Sequence, residues 1–501
     1  MNIAQKIKKL FDPVELTSGS IYKSLIAFLI PIVLSMLFQQ LYTLTDALIV
    51  GQTLSEEEVA GVNSSSPLVF IVLQFGMGCT AGFSVVISEK IGMKDISGVK
   101  KSFFVQIVLS VAISALLTFI GILMIPTMLS WLGINPSTVD LSMQKEYEAA
   151  YTYLLFIYIG ILFQLLYNLI VSVLRALGDS FTPFLFLVGS TILNVGLDLL
   201  FILAFRWGVA GSAIATVISQ GLAALGAIIY GYKKYDCLKI GKEDFKAPLQ
   251  LYWKHLYNGL PMGFQFSVLE IGIIVMQAAV IAFDFTPAGA MVAGLPAQMG
   301  YGTACKIFGL LMTFLNGLGT AVLSYVSQNY GAGKYKRVRE GIKASLLIGI
   351  VLWVFITVVG LLLTINGSYE YLFLSENKIT SESIRYGNTY LFVSVPLMII
   401  LMVLFVERNA LQGLQKPLWP FLSGVGELIA RTLVCLYLPA LVNGGPINSS
   451  ASNAAFIAVS AADPAAWILN VLVSLPCLLI SIRRISKLDD APSKEISKEG
   501  L

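Results

Sequence analysis

Apolar runs long enough to cross a lipid bilayer recur along the whole chain of 501 residues. A helix needs about 20 apolar residues to span the hydrocarbon core, and 56% of this chain is hydrophobic while only 12% is charged. The runs are continuous rather than alternating, which excludes an outer-membrane barrel. The sequence predicts an all-α integral membrane protein with twelve transmembrane helices. Their predicted bounds are 24–50, 59–88, 102–123, 148–174, 181–204, 208–231, 256–283, 292–328, 341–364, 386–410, 418–440 and 465–482.

Lysine and arginine residues concentrate in alternate connections between these spans. Because cytoplasmic connections of membrane proteins are enriched in basic residues, we predict that the N-terminus, the connections after the even-numbered spans and the C-terminal tail are cytoplasmic. The cytoplasmic N-terminus would then carry Lys6, Lys8 and Lys9. Four basic residues are left on the outside, namely Lys145, Arg206, Lys378 and Arg385. Two more lie within spans, namely Lys306 and Arg431. The net charge of +4 follows from this topology and does not indicate a nucleic-acid partner.

Two parts of the chain repeat each other. Residues 75–99 resemble residues 314–338 at a constant offset of 239, and residues 174–199 resemble residues 411–436 at an offset of 237. A nearly constant offset between distant segments indicates a duplicated unit.

The repeat predicts two pseudo-symmetric six-helix lobes, residues 1–231 and 255–501, joined by a polar cytoplasmic linker at 232–254. Since six is even, both lobes enter the membrane in the same direction. A pseudo-twofold axis then runs along the membrane normal, and we expect a substrate to bind in a central cleft between the lobes.

Polar side chains interrupt the apolar spans of the first half. Asn194 and Asp198 are one helical turn apart in span 5, so they face the same way. A carboxylate inside a membrane costs roughly 3 kcal/mol on insertion scales, and such a group usually binds an ion, a proton or a substrate. At about 1.5 Å per residue, Asp198, Asp46 and Thr216 share one depth in the outer half of the membrane. Asp46 alone can equally be a helix-end residue near headgroup water. Together, Asp46, Asn194, Asp198 and Thr216 predict a site for Na⁺ or a proton.

The second half does not repeat this chemistry. The offset of 237 places Arg431 at the position of Asn194, and Cys435 at the position of Asp198. Glu427 precedes Arg431 by one helical turn, so the two side chains can pair within their helix. The predicted ion site therefore belongs to the first half alone.

Two more charged residues lie within spans of the second half, Glu270 in span 7 and Lys306 in span 8. They lie at similar depths, where an unpaired charge is costly, so we expect them to pair. Two interpretations remain open for the second-half polar set, namely structural ion pairs or a second site for substrate or ion. This set consists of Glu270, Lys306, Glu427 and Arg431.

Enzymatic chemistry has no support in the sequence. The only histidine, His255, is at the inner end of a predicted span, where an interfacial role is the simplest interpretation. No nucleophile motif or metal-ligand spacing is present. We expect no enzyme activity and no cofactor.

Five sequence motifs lie along the chain, namely QQLYTLTDALIVG at 39–51, ISEKIGMKD at 87–95, LRALGDSFTP at 174–183, WGVAGSAIATVISQ at 207–220 and VSQNYGAGK at 326–334. Together with the Asn194/Asp198 pair, they resemble the multidrug and toxic compound extrusion (MATE) family, in its DinF-like or MepA-like bacterial branch. The resemblance covers nearly the whole chain. The family implies antiport of lipophilic organic cations or drugs against H⁺ or Na⁺ by alternating access, in a bacterial plasma membrane with both termini cytoplasmic. A monomer is expected.

The resemblance also carries over to individual residues. The four residues of the predicted ion site match the first-lobe cation or proton site of the DinF-like branch. Pro31 matches a proline proposed to bend helix 1, and Glu270 matches the helix 7 acid of the NorM-like branch. The helix 10 aspartate of that branch has no counterpart, because Leu401 lies near its position. The long outer segment at 444–464 departs from the short loop that the family implies.

Rival functions remain at this stage. A flippase for a lipid-linked oligosaccharide can share the two-lobed scaffold, but it favours a cationic cavity, and the in-span cations are only Lys306 and Arg431. A channel would require a pore-loop signature, which the sequence lacks. Drug efflux is the function that the sequence favours.

Overall fold

The computed structural model describes residues 12–135, 141–375 and 379–489. Lys6, Lys8, Lys9 and Lys378, which bear on the predicted orientation, lie outside these ranges. The helices of the described chain are α1 (Ile21–Thr53), α2 (Glu56–Gly92), α3 (Ile96–Trp131), α4 (Leu141–Ile159), α5 (Ile161–Ala176), α6 (Phe181–Asp198), α7 (Gly208–Lys234), α8 (Leu249–Ile281), α9 (Pro296–Gly331), α10 (Tyr335–Leu363), α11 (Ser381–Gly413), α12 (Leu418–Asn443), α13 (Asn453–Ser460) and α14 (Ala462–Asp489).

The twelve predicted spans all correspond to helices. Eleven helical segments of the described chain are long and apolar enough to cross a membrane, and α4 with α5 makes a twelfth span bent by 48°. Gly160 lies at this bend, where a larger side chain would collide with Val217 of α7. The all-α, twelve-span fold class is therefore confirmed, with one span broken at a glycine.

Most helices extend beyond the predicted span bounds by several residues. α2, for example, begins at Glu56 rather than at residue 59, because Ser55 and Glu58 form a capping box at its first turn. At the other side of the membrane, α7 continues to Lys234 and ends in basic residues. Hydropathy detects only the part of a helix that lies in hydrocarbon, so polar end turns escape it.

The described chain forms two compact units. The first contains the chain up to Ser267 together with Ser327–Lys334, and the second contains Val268–Val326 and the chain from Tyr335. Within the first unit, Leu238 of the predicted linker is 1% exposed and packs into a buried apolar cluster with Ile170 and Leu174. The linker thus packs onto the first unit. The division into lobes at 1–231 and 255–501 stays a prediction.

Two glycines of the repeat allow α2 to cross the end of α9 at close range. A Cβ atom on Gly92 would collide with the carbonyl oxygen of Gln328, and one on Gly331 would collide with the carbonyl oxygen of Glu89. The offset of 239 relates Gly92 to Gly331 and Glu89 to Gln328, so the two contacts are symmetric counterparts. The repeat therefore produces a reciprocal crossing in which each helix needs a residue without a side chain.

Replacing Gly331 with alanine should destabilise the protein by about 1–3 kcal/mol, the usual cost of an overpacked contact. The obstacle is a backbone carbonyl, which cannot rotate away as a side chain can. Thermal unfolding of the purified protein measures the effect. The matched control is Gly309→Ala in the same helix, where no described atom beyond the local helix backbone lies within 4 Å of an added Cβ. That variant should lose no stability, and equal losses in the two variants would contradict the crossing.

The motif LRALGDSFTP builds the turn that leads into α6. Gly178 adopts φ +85, a left-handed conformation that glycine reaches without strain, and it ends α5. Asp179 then accepts hydrogen bonds from the backbone amide of Thr182 at 2.9 Å and from the ammonium of Lys234 at 2.9 Å. The motif therefore fixes the start of α6 against the end of α7.

The motif ISEKIGMKD ends in an aspartate that caps the next helix. Asp95 accepts a hydrogen bond from the backbone amide of Gly98 at 2.8 Å and pairs with Lys90 at 3.2 Å. The amide bond, aided by the Lys90 ammonium, lowers the pKa of Asp95 below its usual range. Asp95 therefore stays ionised and holds the tight turn between α2 and α3.

The long segment at 444–464, which the predicted topology places outside, contains a helix of its own. α13 is capped by the side chain of Ser452, and Phe456 in its middle is fully buried. The ring of Phe456 contacts the rings of Phe283 and Tyr386 at centroid distances of 5.1 and 4.6 Å. This segment is thus a packed part of the second unit, which the sequence did not reveal.

Candidate functional site

Asp198 is the last residue of α6, at the point where the helix changes its hydrogen-bonding pattern. Residues Leu199–Ala204 continue as a π-helix and then turn into α7. Wide turns of this kind inside helices occur frequently at functional sites, because they displace side chains from the regular helical positions. The side chain of Asp198 is fully buried, as is that of Asn194 one turn earlier.

The first unit brings all four residues of the predicted ion site together. The side-chain amide of Asn194 donates to the hydroxyl of Thr216 at 3.4 Å, which joins α6 to α7. The carboxyl groups of Asp198 and Asp46, from α6 and α1, lie within hydrogen-bonding reach of each other. Three helices therefore converge on one polar cluster, which we call the acid cluster.

Four oxygen atoms of the acid cluster are buried without a hydrogen-bond donor in the described chain. They are Oδ1 of Asp46, Oδ1 of Asn194, and both carboxyl oxygens of Asp198. Buried acceptors are normally satisfied, and two ionised carboxylates at this distance repel each other. Because a carboxylate can only accept, the two acids can bond to each other only when one of them carries a proton. The arrangement therefore calls for a positively charged ligand.

Two tyrosines complete the acid cluster. The hydroxyl of Tyr42 donates to Thr216 at 3.3 Å. Tyr153 of α4 lies close enough to Asp46 and Asp198 to interact with both charges. No sequence pattern could have identified Tyr153, since an aromatic residue in an apolar span is ordinarily a packing residue.

The second unit contains a buried ion-pair network centred on Arg431. Its guanidinium donates to Glu427 at 3.1 Å, which is the pair expected within α12, and to Asp463 at 2.9 Å. The hydroxyl of Tyr390 donates to the other oxygen of Asp463 at 2.9 Å. Asp463 lies in the first turn of α14, at the end of the 444–464 segment. Asp463 therefore adds a second negative charge beside Arg431, and sequence spacing could not predict this contact.

The remaining predicted residues lie on α8, α9 and α1. Glu270 is half-buried on α8, and Lys306 is exposed on α9 with its ammonium 5.0 Å from the ring centroid of Phe373. The ion pair between Glu270 and Lys306 stays a prediction. Pro31 lies inside α1, where its carbonyl accepts a hydrogen bond from Ser35 at 2.7 Å. Its role as a hinge also stays a prediction.

His255 differs from the interfacial position that the sequence suggested. Its ring is fully buried in α8, with Nδ1 2.8 Å from the carbonyl oxygen of Leu251 and the ring beside that of Phe83. A bond to the preceding turn of its own helix and an aromatic contact are structural interactions. His255 therefore packs inside the first unit.

Comparison with known proteins finds a matching family model and several related proteins. The MatE family model matches residues 31–200 and 273–436. The probable multidrug resistance protein YpnP of Bacillus subtilis (strain 168) is 31% identical over 328 residues, which is 65% of this chain and 68% of that protein. The multidrug export protein MepA of Staphylococcus aureus (strain NCTC 8325 / PS 47) is 22% identical over 453 residues, or 83% of this chain and 94% of that protein.

A solved structure shares the fold over almost its full length. It is described as the outward-facing conformation of a multidrug resistance MATE family transporter of the MOP superfamily. It superposes with a TM-score of 0.78, covering 96% of this chain and 99% of that chain at 19% sequence identity.

Proposed function

Because this chain belongs to the MATE family and is a membrane transporter for multidrug efflux, we propose that it exchanges lipophilic organic cations for protons by alternating access. The acid cluster of the first unit carries this proposal. Two carboxyl groups there, Asp46 and Asp198, lie together with buried oxygens that no donor among the described residues satisfies. A transporter, and not an enzyme, is the use that fits such a site inside a membrane.

Drug export and proton import are coupled in this proposal because the drug and the proton compete for the same negative charge. When both acids are ionised, the first unit carries uncompensated negative charge, which raises the affinity of the protein for a cationic drug. A proton bound between Asp46 and Asp198 removes part of that charge and weakens drug binding. Coupling between two ligands is reciprocal, so drug binding must equally weaken proton binding, as antiport requires.

A proton suits this geometry better than Na⁺. The two carboxyl groups are within hydrogen-bonding reach, and one shared proton turns their repulsion into a hydrogen bond. Na⁺ nevertheless uses the same oxygen ligands, so the experiment below includes it.

Efflux of a fluorescent cationic dye from vesicles containing the purified protein tests the proposal. A pH gradient imposed alone should drive dye movement, and a Na⁺ gradient at equal pH should not. Movement driven only by Na⁺ would overturn the choice of proton. Dye movement that ignores both gradients would overturn antiport and favour a channel.

The names of the relatives also bear on the alternative functions and on the membrane in which the protein acts. YpnP and MepA carry names that refer to multidrug resistance or export, so a flippase for lipid-linked oligosaccharides is not favoured. We propose small organic cations or drugs as substrates, with the protein acting as a monomer in a bacterial plasma membrane. Both termini would be cytoplasmic, as the distribution of basic residues predicts.

A further inference from the structure

A chain of buried polar side chains extends inward from the Arg431 network along α14. The side-chain amide of Asn470 donates to Glu427 at 2.9 Å. One turn further on, the hydroxyl of Ser474 lies 2.5 Å from Oε1 of Glu407 on α11. Glu407 is 2% exposed, and Asn470 and Ser474 are fully buried. This series of polar side chains therefore ends at the buried carboxyl group of Glu407. Glu407 is far from the acid cluster in sequence and lies in a different unit.

The two short contacts of the Ser474 side chain require one more hydrogen atom than its hydroxyl group supplies. Its hydroxyl lies near three acceptors, Oε1 of Glu407 at 2.5 Å, the backbone carbonyl of Asn470 at 2.8 Å and, more distant, Oδ1 of Asn470 at 3.5 Å. One hydroxyl can donate to only one of them. If Glu407 carries a proton on Oε1, it donates to Ser474, and Ser474 in turn donates to Asn470. A single added proton thus satisfies both short contacts.

The charges of these buried side chains also indicate that one proton is missing. The buried acids are Glu407, Glu427 and Asp463, and the buried bases are Arg408 and Arg431. With every group ionised, the set carries one negative charge too many, and buried charges require compensation.

The hydrogen bonds indicate which acid is in excess. Both carboxyl oxygens of Glu427 accept bonds, one from Arg431 and one from Asn470. Asp463 likewise accepts from Arg431 and from Tyr390. Oε2 of Glu407 is buried with no donor in the described chain. The excess charge therefore falls on Glu407.

We propose that Glu407 is a second proton-binding site, which holds one exchangeable proton in the second unit. It is separate from the acid cluster, and the proposal stands whether or not the acid cluster couples transport. The bound proton lies between Oε1 of Glu407 and the hydroxyl of Ser474.

The surroundings of Glu407 favour a proton over other ligands. Arg408, which stacks on the ring of Phe405 at 4.8 Å, interacts with the charges of both Glu407 and Glu427. It is shared between two acids and cannot neutralise both. In the described chain, α10, which also packs on α11, adds no titratable group that affects Glu407. No set of metal-binding side chains occurs within the described ranges.

Infrared spectroscopy of the purified protein in lipid bilayers tests this site directly. The carbonyl stretch of a protonated carboxyl group is resolved from that of a carboxylate. The wild-type protein should show a protonated-carboxyl band that disappears at high pH and shifts in D₂O as the proton exchanges. Glu407→Gln should lack this band, and Ser474→Ala should move it without removing it, because the hydrogen bond is lost and the carboxyl group stays.

The matched control is Glu89→Gln. Glu89 is a buried acid of the first unit that pairs with the ammonium of Lys254 at 2.6 Å. This variant should keep the band, because it leaves the charge count around Glu407 unchanged. A Glu407→Gln spectrum identical to that of the wild type would overturn the proposal, as would a band that ignores pH and D₂O. Because the Asp198→Asn variant should also keep the Glu407 band, failure here is distinguishable from failure of the transport mechanism.

Discussion

Asp198→Asn should abolish proton-driven drug efflux while the protein still reaches the membrane. Asparagine has nearly the same shape as aspartate, so the burial of this side chain at the end of α6 is preserved. The amide cannot take up and release a proton in place of the carboxyl group. Without the second acid, Asp46 has no partner with which to share a proton. Efflux driven by a pH gradient should fall to the level of vesicles without protein.

The control for this variant is Asp236→Asn. Asp236 is an exposed acid in the connection after α7, and its partner is the ammonium of Lys239 at 2.5 Å. Surface pairs of this kind contribute little, so transport by this variant should equal that of the wild type. Wild-type rates of gradient-driven efflux in Asp198→Asn would refute the coupling role of the acid cluster.

Arg431→Met should give the largest loss of stability. The guanidinium compensates two buried carboxylates, Glu427 and Asp463. Methionine fills similar space but leaves both acids uncompensated. Removing one partner of a buried ion pair typically costs about 3–5 kcal/mol. We expect the thermal unfolding temperature of the purified protein to fall accordingly.

Arg385→Met provides the comparison. Arg385 pairs with Glu382 near the start of α11, but both side chains are exposed. Loss of an exposed pair costs about 0–1 kcal/mol, so this variant should unfold close to the wild-type temperature. If both arginine variants are equally stable, the Arg431 network makes no net contribution.

Hydropathy predicted the membrane spans well because the bilayer imposes a length and an apolar composition on every helix. The bend at Gly160 was missed because it depends on Val217, a residue on another helix. The helix α13 was missed for a different reason. It has eight residues, too few for a span, and it is stabilised by the contacts of Phe456 rather than by a periodic pattern.

The acid cluster could be predicted from sequence because charged and amide side chains stand out in apolar spans, and helix rise gives their depth. Tyr153 and the π-helix after Asp198 could not. The position of Tyr153 beside the acids depends on the rotation of α4, and the π-helix depends on backbone hydrogen bonds. Asp463 was missed because its partner Arg431 is 32 residues away in the chain.

The partnership of Arg431 and Asp463 has a consequence for the history of the chain. In the first half, helices α6 and α7 are joined through a π-helix and a connection of only three residues, 205–207, whereas the second half has an inserted segment at the equivalent place. The acid that faces Arg431 lies at the end of this insertion. Deleting the insertion would therefore remove a counter-charge along with a loop. We therefore expect that relatives of this chain which lack the inserted segment also lack the arginine.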